Sequence, residues 1–469
     1  MRAWLSRTSA QALLIGLLST LLLALVEWTL TRSGDLIAGY RFHAWSSEEF
    51  MQEVRINDLL AVGPIGLWYL HVQPPMLETM RFLLALPEYL SGGQLTAQMI
   101  DQRMYGLYTV LYGVLNAVVY AWLVTLTRSR RWALVGTILF ALYPGTLAIA
   151  TLLDGTFPSS VFVTGMLFLL FLTIRKRSAT LLNWWLASLL LVSLTRTIFQ
   201  LQVLVFVPIV VWLLYRTRIG ARSTTAIVLS VMITRSLFLL PAKQYALYRT
   251  TATTSFAGNH QIEVVSYRPT DAELAAVEVP PEILDTAARF VSGYNSPENI
   301  RLNYVLSQVG NNYYRENPFQ VAKNLIWGFQ MNTAQAFKFT HEYSSTGPEQ
   351  PNRLAAALPW TPPMVNGISV TFYLLVLLAT FLALLYAFTW RGLLRRAWRY
   401  WPLLFVVGMT MLTFLLANRY DWSEADRLKF IVEPFFAVTF FASLAFAARR
   451  FRDRRSRAPH EARIDSRPS

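Results

Sequence analysis

The sequence predicts an all-α polytopic membrane protein, with about ten transmembrane helices and a small, mostly helical extracytoplasmic cap. Three observations predict it. The 469 residues are 54% hydrophobic and only 15% charged, a balance foreign to ordinary soluble domains. Apolar runs recur along the chain, and most can cross a hydrocarbon core about 30 Å thick as helices. The basic residues gather on one side of that ladder.

The runs lie at about 11–30, 104–127, 132–151, 159–174, 179–194, 198–215, 223–241, 366–389, 401–418 and 431–447. With a cytosolic N-terminus, one face collects Arg2 and Arg7, Arg128, Arg130 and Arg131, Arg175, Lys176 and Arg177, and Arg216, Arg218 and Arg222. Arg391, Arg395, Arg396, Arg399 and eight arginines after Ala448 complete it. That face holds 23 of the 42 basic residues but three of the 27 acidic ones, a charge of +20; the remainder of the chain carries −5. The partition matches ten spans of a multi-pass inner-membrane protein with both termini in the cytosol. The net charge of +15 is no sign of nucleic acid here, because anionic membrane lipids account for cations beside helix ends.

Each element has its own reason. The first run has no small-residue cleavage site after it and reads as a retained span. The first extracytoplasmic loop, 31–103, contains apolar pieces at Leu59–Leu70 and Phe82–Leu90. They are too short to span, contain Pro64 and Pro87, and read as helices lying at the membrane interface. Residues 179–215 as one helix would be about 55 Å long, so two spans are expected, joined at Thr195-Arg196-Thr197. That join puts Arg196 at the extracytoplasmic surface.

The second long extracytoplasmic stretch, 242–365, carries helix signals. Thr270 with Glu273 is a capping-box pattern, Ser296-Pro297-Glu298 offers an N-cap with proline at the first helical position, and a third helix is expected after Asn317-Pro318. The chain therefore divides into an N-terminal transmembrane region (1–241), a cap (242–365), C-terminal helices (366–448) and a basic tail (449–469). No cysteine occurs, which removes disulfides, thiolate metal sites and cysteine nucleophiles together.

The first loop is rich in acids: Asp35, Glu48, Glu49, Glu53 and Asp58 precede His71-Val72-Gln73-Pro74-Pro75. A carboxylate at the membrane surface can deprotonate an acceptor hydroxyl within hydrogen-bond reach, although any one of the five also reads as a solvated loop charge. Three features together resemble the GT-C membrane glycosyltransferases, a superfamily that includes protein O-mannosyltransferases and lipid A aminoarabinose transferases. They are the acidic loop directly after span one, the His-x-x-Pro-Pro segment at 71–75, and the stretch Asn418 to Pro434, NRYDWSEADRLKFIVEP, leading into the last span.

The resemblance implies transfer of a sugar from a polyprenyl-phosphate donor to a glycan, lipid or protein acceptor, on the extracytoplasmic side, with inversion at the anomeric carbon. It implies an aspartate base early in the first loop. Asp35 matches by its closeness to span one, and Glu48 and Glu49 match by their distance to Pro74. A second acid is common between spans three and four, where Asp154 stands in Leu153-Asp154-Gly155; a turn aspartate before glycine is the competing reading.

A polyprenyl-phosphate leaving group calls for cations at headgroup level. Arg196, Arg235, Lys243, Arg419, Arg427 and Lys429 all fall near extracytoplasmic span ends. Arg235 lies inside an apolar run, where it either serves function or snorkels to the interface. Glu27 is either its partner or an independently satisfied acid. His71, one of five histidines, either bonds substrate alongside Gln73 or fixes the Pro74-Pro75 turn. No cofactor is expected, and a divalent metal would have to rely on carboxylates, because no histidine cluster has ligand spacing. The chain lacks a phosphate-gripping glycine loop, which disfavours a nucleotide-sugar donor. The rival functional class is a transporter or flippase of a lipid-linked substrate, in which the same charges line a pathway; the repeat symmetry expected of one is not evident.

Overall fold

A computed structural model of the chain describes residues 2–33, 36–37, 40–41, 48, 54–196, 199, 224–250, 254–263, 265, 267–285, 287–291, 293–334 and 430–464. These are overwhelmingly helical; the exception is an antiparallel pair of two-residue strands, β1 (Leu36–Ile37) and β2 (Tyr40–Arg41). The long α1 (Arg2–Ser33) precedes it. Four short elements come next: α2 (Ile56–Val62), a 3-10 turn (Pro64–Tyr69), α3 (Met76–Leu84) and α4 (Leu86–Ser91). Beyond them run α5 (Ala97–Thr127), α6 (Arg130–Ala141), α7 (Pro144–Ala150), α8 (Thr156–Lys176), α9 (Ala179–Ser193) and α10 (Thr224–Tyr248). After these lie α11 (Ala257–Glu263), α12 (Asp271–Ala275), α13 (Pro281–Leu284), α14 (Pro297–Glu316), α15 (Pro318–Ala334) and α16 (Glu433–Ile464). Among the described residues, four stretches are long and apolar enough to cross a membrane: Thr8–Thr29, Ala97–Thr127, Thr156–Thr173 and Glu433–Phe451.

Local chemistry sets the helix starts. The side chains of Thr96, Ser129 and Ser178 accept from the amides of Met99, Trp132 and Leu181 at the heads of α5, α6 and α9. Thr270 and Glu273 form the expected capping box, and Ser296 caps α14 ahead of Pro297.

Packing sets the directions. Tyr120 donates to Gln11 (3.1 Å) and Thr109 to Glu27 (2.8 Å), so α1 and α5 run antiparallel. Their backbones meet at Gly16 and Gly113, where a Cβ on Gly113 would overlap Thr20 Oγ1. Helix α8 runs parallel to α5: Tyr108 packs on Phe157 (5.6 Å between ring centroids) and Trp122 on Phe168 (5.7 Å). At the far end Arg175 donates to Thr125 O (3.1 Å), and Arg449 of α16 donates to Thr127 O. Arginines remote in sequence thus cap the carbonyls of α5 that its own ladder leaves free. The opposite end of the bundle receives the start of α8 and the ends of α9 and α10.

The structure differs from the sequence reading in several places. The run 132–151 is not one helix. Helix α6 ends at Ala141 and Pro144 opens α7, because proline lacks an amide donor and disfavours helical backbone at Tyr143 before it. Helix α9 stops at Ser193, where a break is expected, but at 15 residues it is short for a span. Residues 449–464, read as a tail, continue α16. Glu27 accepts from Thr109 and Arg235 is exposed on α10, so these two are not an ion pair. The runs 366–389 and 401–418, and 198–215 apart from Phe199, lie outside the described residues.

Candidate functional site

From the end of the 3-10 turn at Tyr69 the chain runs through Leu70, His71 and Val72 outside any helix or strand, and its backbone polar groups need partners. Side chains distant in sequence supply them. Tyr248 donates to the carbonyl of Tyr69, Lys243 to that of Leu70, and Thr254 to that of Val72. The His71 carbonyl accepts from Gln244 Nε2 (3.2 Å) and from the Ser255 amide (2.8 Å). Asn295 Oδ1 accepts from the amides of His71 (3.1 Å) and Val72 (3.4 Å). The end of α10, the 254–255 turn and Asn295 thereby clamp this segment. His71 itself is fully buried, its Nδ1 is 2.6 Å from Ser255 Oγ, and Tyr248 packs edge-on against its ring. Burial pushes the imidazole down to about 4, so it is neutral at physiological pH.

The clamp also fixes the start of α3. Met76 donates to the Leu194 carbonyl (3.1 Å), tying that helix to the end of α9. Beside this tie, Arg196 Nη2 donates to Asp154 Oδ2 (2.9 Å) and to Thr156 Oγ1 (2.8 Å). Asp154 is buried and also accepts from the amide (2.9 Å) and hydroxyl (2.6 Å) of Thr156, which starts α8. Asp154 is therefore both the turn residue that opens α8 and the anchor of Arg196.

One side of the guanidinium is not consumed. Arg196 Nε is buried without a hydrogen-bond partner. A Cβ built on Gly155 would lie 3.7 Å from Arg196 Nε and Nη2 and 3.9 Å from Gln73 Oε1, so this glycine leaves room beside a guanidinium and an amide. The space adjoins the N-terminus of the 21-residue α8, whose dipole favours negative charge; the Thr156 amide there is already taken by Asp154, and Pro158 has none. The chain entering the last helix also arrives here: Ser160 Oγ donates to the Phe430 carbonyl (3.2 Å), and Phe430 packs on Phe157 (6.4 Å). Three places marked by the resemblance, 71–75, Asp154 and the end of 418–434, thus meet at one end of α8.

Glu48 lies elsewhere. Its Oε1 accepts from the Ile56 amide (2.7 Å) and from Arg81 Nη2 (3.0 Å). Arg81 is fully buried and also donates to Glu78 Oε2 (2.8 Å) and the Val54 carbonyl (2.7 Å). This network folds the first loop onto α3. The Glu48 contacts with the Ile56 amide and Arg81 are both made within the protein. Lys243 donates to the clamp, and Arg235 is exposed on α10. Asp35, Glu49, Arg419, Arg427 and Lys429 lie outside the described residues.

Thr156, Gln244, Ser255 and Asn295 carry no signal for the site in the sequence, where Gly155 stands only as the turn glycine after Asp154. Glu78-x-x-Arg81, by contrast, has the readable spacing of a helical ion pair. Among the described residues no group of three or more histidine, aspartate or glutamate side chains is arranged to hold a metal. Comparison of the chain with protein-family models, curated proteins and solved structures finds no match.

Proposed function

We propose that this protein is a polytopic membrane glycosyltransferase of the GT-C kind, with about ten spans, both termini cytosolic and an extracytoplasmic cap at 242–365. It moves a sugar from a polyprenyl-phosphate donor to a cell-envelope acceptor with inversion. The observation that carries the reading is Arg196: anchored by Asp154 and Thr156, with Nε uncommitted beside Gln73 and the head of α8.

In the reaction, a carboxylate takes the proton of the acceptor hydroxyl as its oxygen attacks the anomeric carbon. The bond from that carbon to the phosphate oxygen breaks, and negative charge grows on the departing polyprenyl phosphate. Arg196 and the positive end of the α8 dipole stand where that charge is stabilised, usually the largest catalytic contribution. Asp154 holds Arg196 in place, and Gln73 Oε1, which faces the same space, accepts from a hydroxyl of the donor. The base is assigned to the first loop, to Asp35 or Glu49, since Glu48 is engaged with Arg81.

The test is transfer from polyprenyl-phosphate donors by Asp35→Asn, Glu49→Gln and Glu48→Gln variants. Loss of transfer is expected in one of the first two with the fold retained. Full activity in both would remove the first-loop base from the mechanism.

A further inference from the structure

Two buried polar atoms in the clamp are not accounted for by its structural duty. His71 is 0% exposed and Gln244 1%, and neither His71 Nε2 nor Gln244 Oε1 has a hydrogen-bond partner. Unsatisfied buried groups of this kind cost stability and call for an explanation. The two belong to one cluster, because Gln244 Nε2 donates to the carbonyl of His71 itself.

We propose that His71 Nε2 and Gln244 Oε1 bind a hydroxyl group of the transferred sugar. This rests on the reading of the adjacent Arg196 site as the donor-phosphate site, and it adds a sugar-reading element to that site.

Hydrogen-bond roles select the ligand. Gln244 has its amide nitrogen committed to a carbonyl, so its Oε1 is an acceptor and requires a donor from the ligand. His71 is neutral, and Ser255 on Nδ1 leaves Nε2 as donor or acceptor according to the tautomer. A hydroxyl donates its one proton to Gln244 Oε1 and accepts from His71 Nε2–H, in the tautomer whose Nδ1 accepts from Ser255 Oγ. A phosphate or carboxylate offers only acceptors and leaves Gln244 unsatisfied. An ammonium group would be repelled by Lys243, whose nitrogen is bound to the Leu70 carbonyl next in the chain. A neutral hydroxyl meets both atoms.

Position agrees. His71 precedes Gln73 by two residues, so their Cα atoms are at most about 7 Å apart. A sugar whose phosphate lies between Gln73 and Arg196 has its ring within reach of His71.

The experiment compares two probes on purified full-length protein in nanodiscs: polyprenyl phosphate without a sugar, and polyprenyl phosphate bearing mannose, glucose, galactose or aminoarabinose in turn. The variants are His71→Asn, which keeps a polar atom at the Nδ1 position facing Ser255 and deletes Nε2, and His71→Gln, which restores a polar atom near Nε2. The expected result is about tenfold weaker binding of the preferred sugar-bearing donor by His71→Asn. Affinity for bare polyprenyl phosphate stays unchanged, and His71→Gln recovers part of the loss. Equal weakening of both probes would mean that His71 is purely structural, and unchanged binding of both would mean that it does not meet the sugar; each overturns the proposal. If wild-type protein binds neither probe, the Arg196 reading itself fails and takes this one with it. Binding of bare polyprenyl phosphate with no sugar-bearing donor preferred overturns the sugar site alone.

Discussion

Arg81 and Arg196 are both held against carboxylates, yet their surroundings differ. Arg81 has no exposed side-chain surface and divides its donors among Glu48, Glu78 and the Val54 carbonyl. Arg196 keeps 15% of its side chain exposed, binds Asp154 and Thr156 with one nitrogen, and has Nε left beside Gly155. The first arrangement has the form of a staple, in which each charge is answered within the protein. The second is a cation anchored on one side and available on the other, at the head of a long helix. An arginine in an ion pair is therefore not yet a site; the unanswered donor and the room beside it make the difference.

The comparison breaks most severely at Arg81. Replacing it by methionine leaves Glu48 and Glu78 without their counter-charge in a buried position, and about 3–5 kcal/mol of stability should be lost. Thermal unfolding of detergent-solubilised protein measures this, and a midpoint equal to wild type would show that the staple contributes nothing. Asp154→Asn should act in the other way, through function. It keeps the shape of the turn but releases Arg196, and transfer should fall about 10²-fold, or about 2.7 kcal/mol, with a smaller change in unfolding temperature.

Gly155→Val sharpens the contrast further. Its side chain would occupy the space between Arg196 and Gln73 in contact with Arg196 Nε and Nη2, so donor affinity should fall about tenfold with a smaller change in stability. Unchanged affinity would place the donor elsewhere.

The smallest effect concerns the clamp. His71 is neutral in the fold with its value lowered to about 4 from 6.5, so the unfolded chain binds the extra proton between those values. Its contribution to stability is intact above pH 6.5 and is lost as pH falls towards 4. In His71→Asn the unfolding midpoint should depend less steeply on pH across that window than in wild type. Parallel curves would show that the imidazole does not contribute.

How much of this was legible in the sequence depends on range. Elements set by local rules read directly: the spans within α1, α5 and α8, the capping box at Thr270 and Glu273, and the start of α14 at Ser296. Tyr143-Pro144 carried a readable break, which the apolar continuity of 132–151 masked. The site is another matter. Asp154 and Arg196 are 42 residues apart, and His71 meets Asn295 across 224. No periodicity encodes such pairings, which arise only when α8, α9 and α10 bring their ends together. The sequence nominated Asp154, Arg196, His71 and Gln73 as residue types and could not pair them. Gly155 and Gln244 carry no chemical signal of their own until their neighbours are known.

The most direct measurement is transfer of radiolabelled sugar from the panel of polyprenyl-phosphate donors to envelope acceptors, by purified wild-type protein and by Arg196→Lys. Lysine keeps the charge but loses Nε and the planar fork. The account predicts donor-dependent transfer by the wild type and about 10²-fold less by the variant, with both proteins folded. Equal transfer by the two, or none from any donor by the wild type, would contradict it.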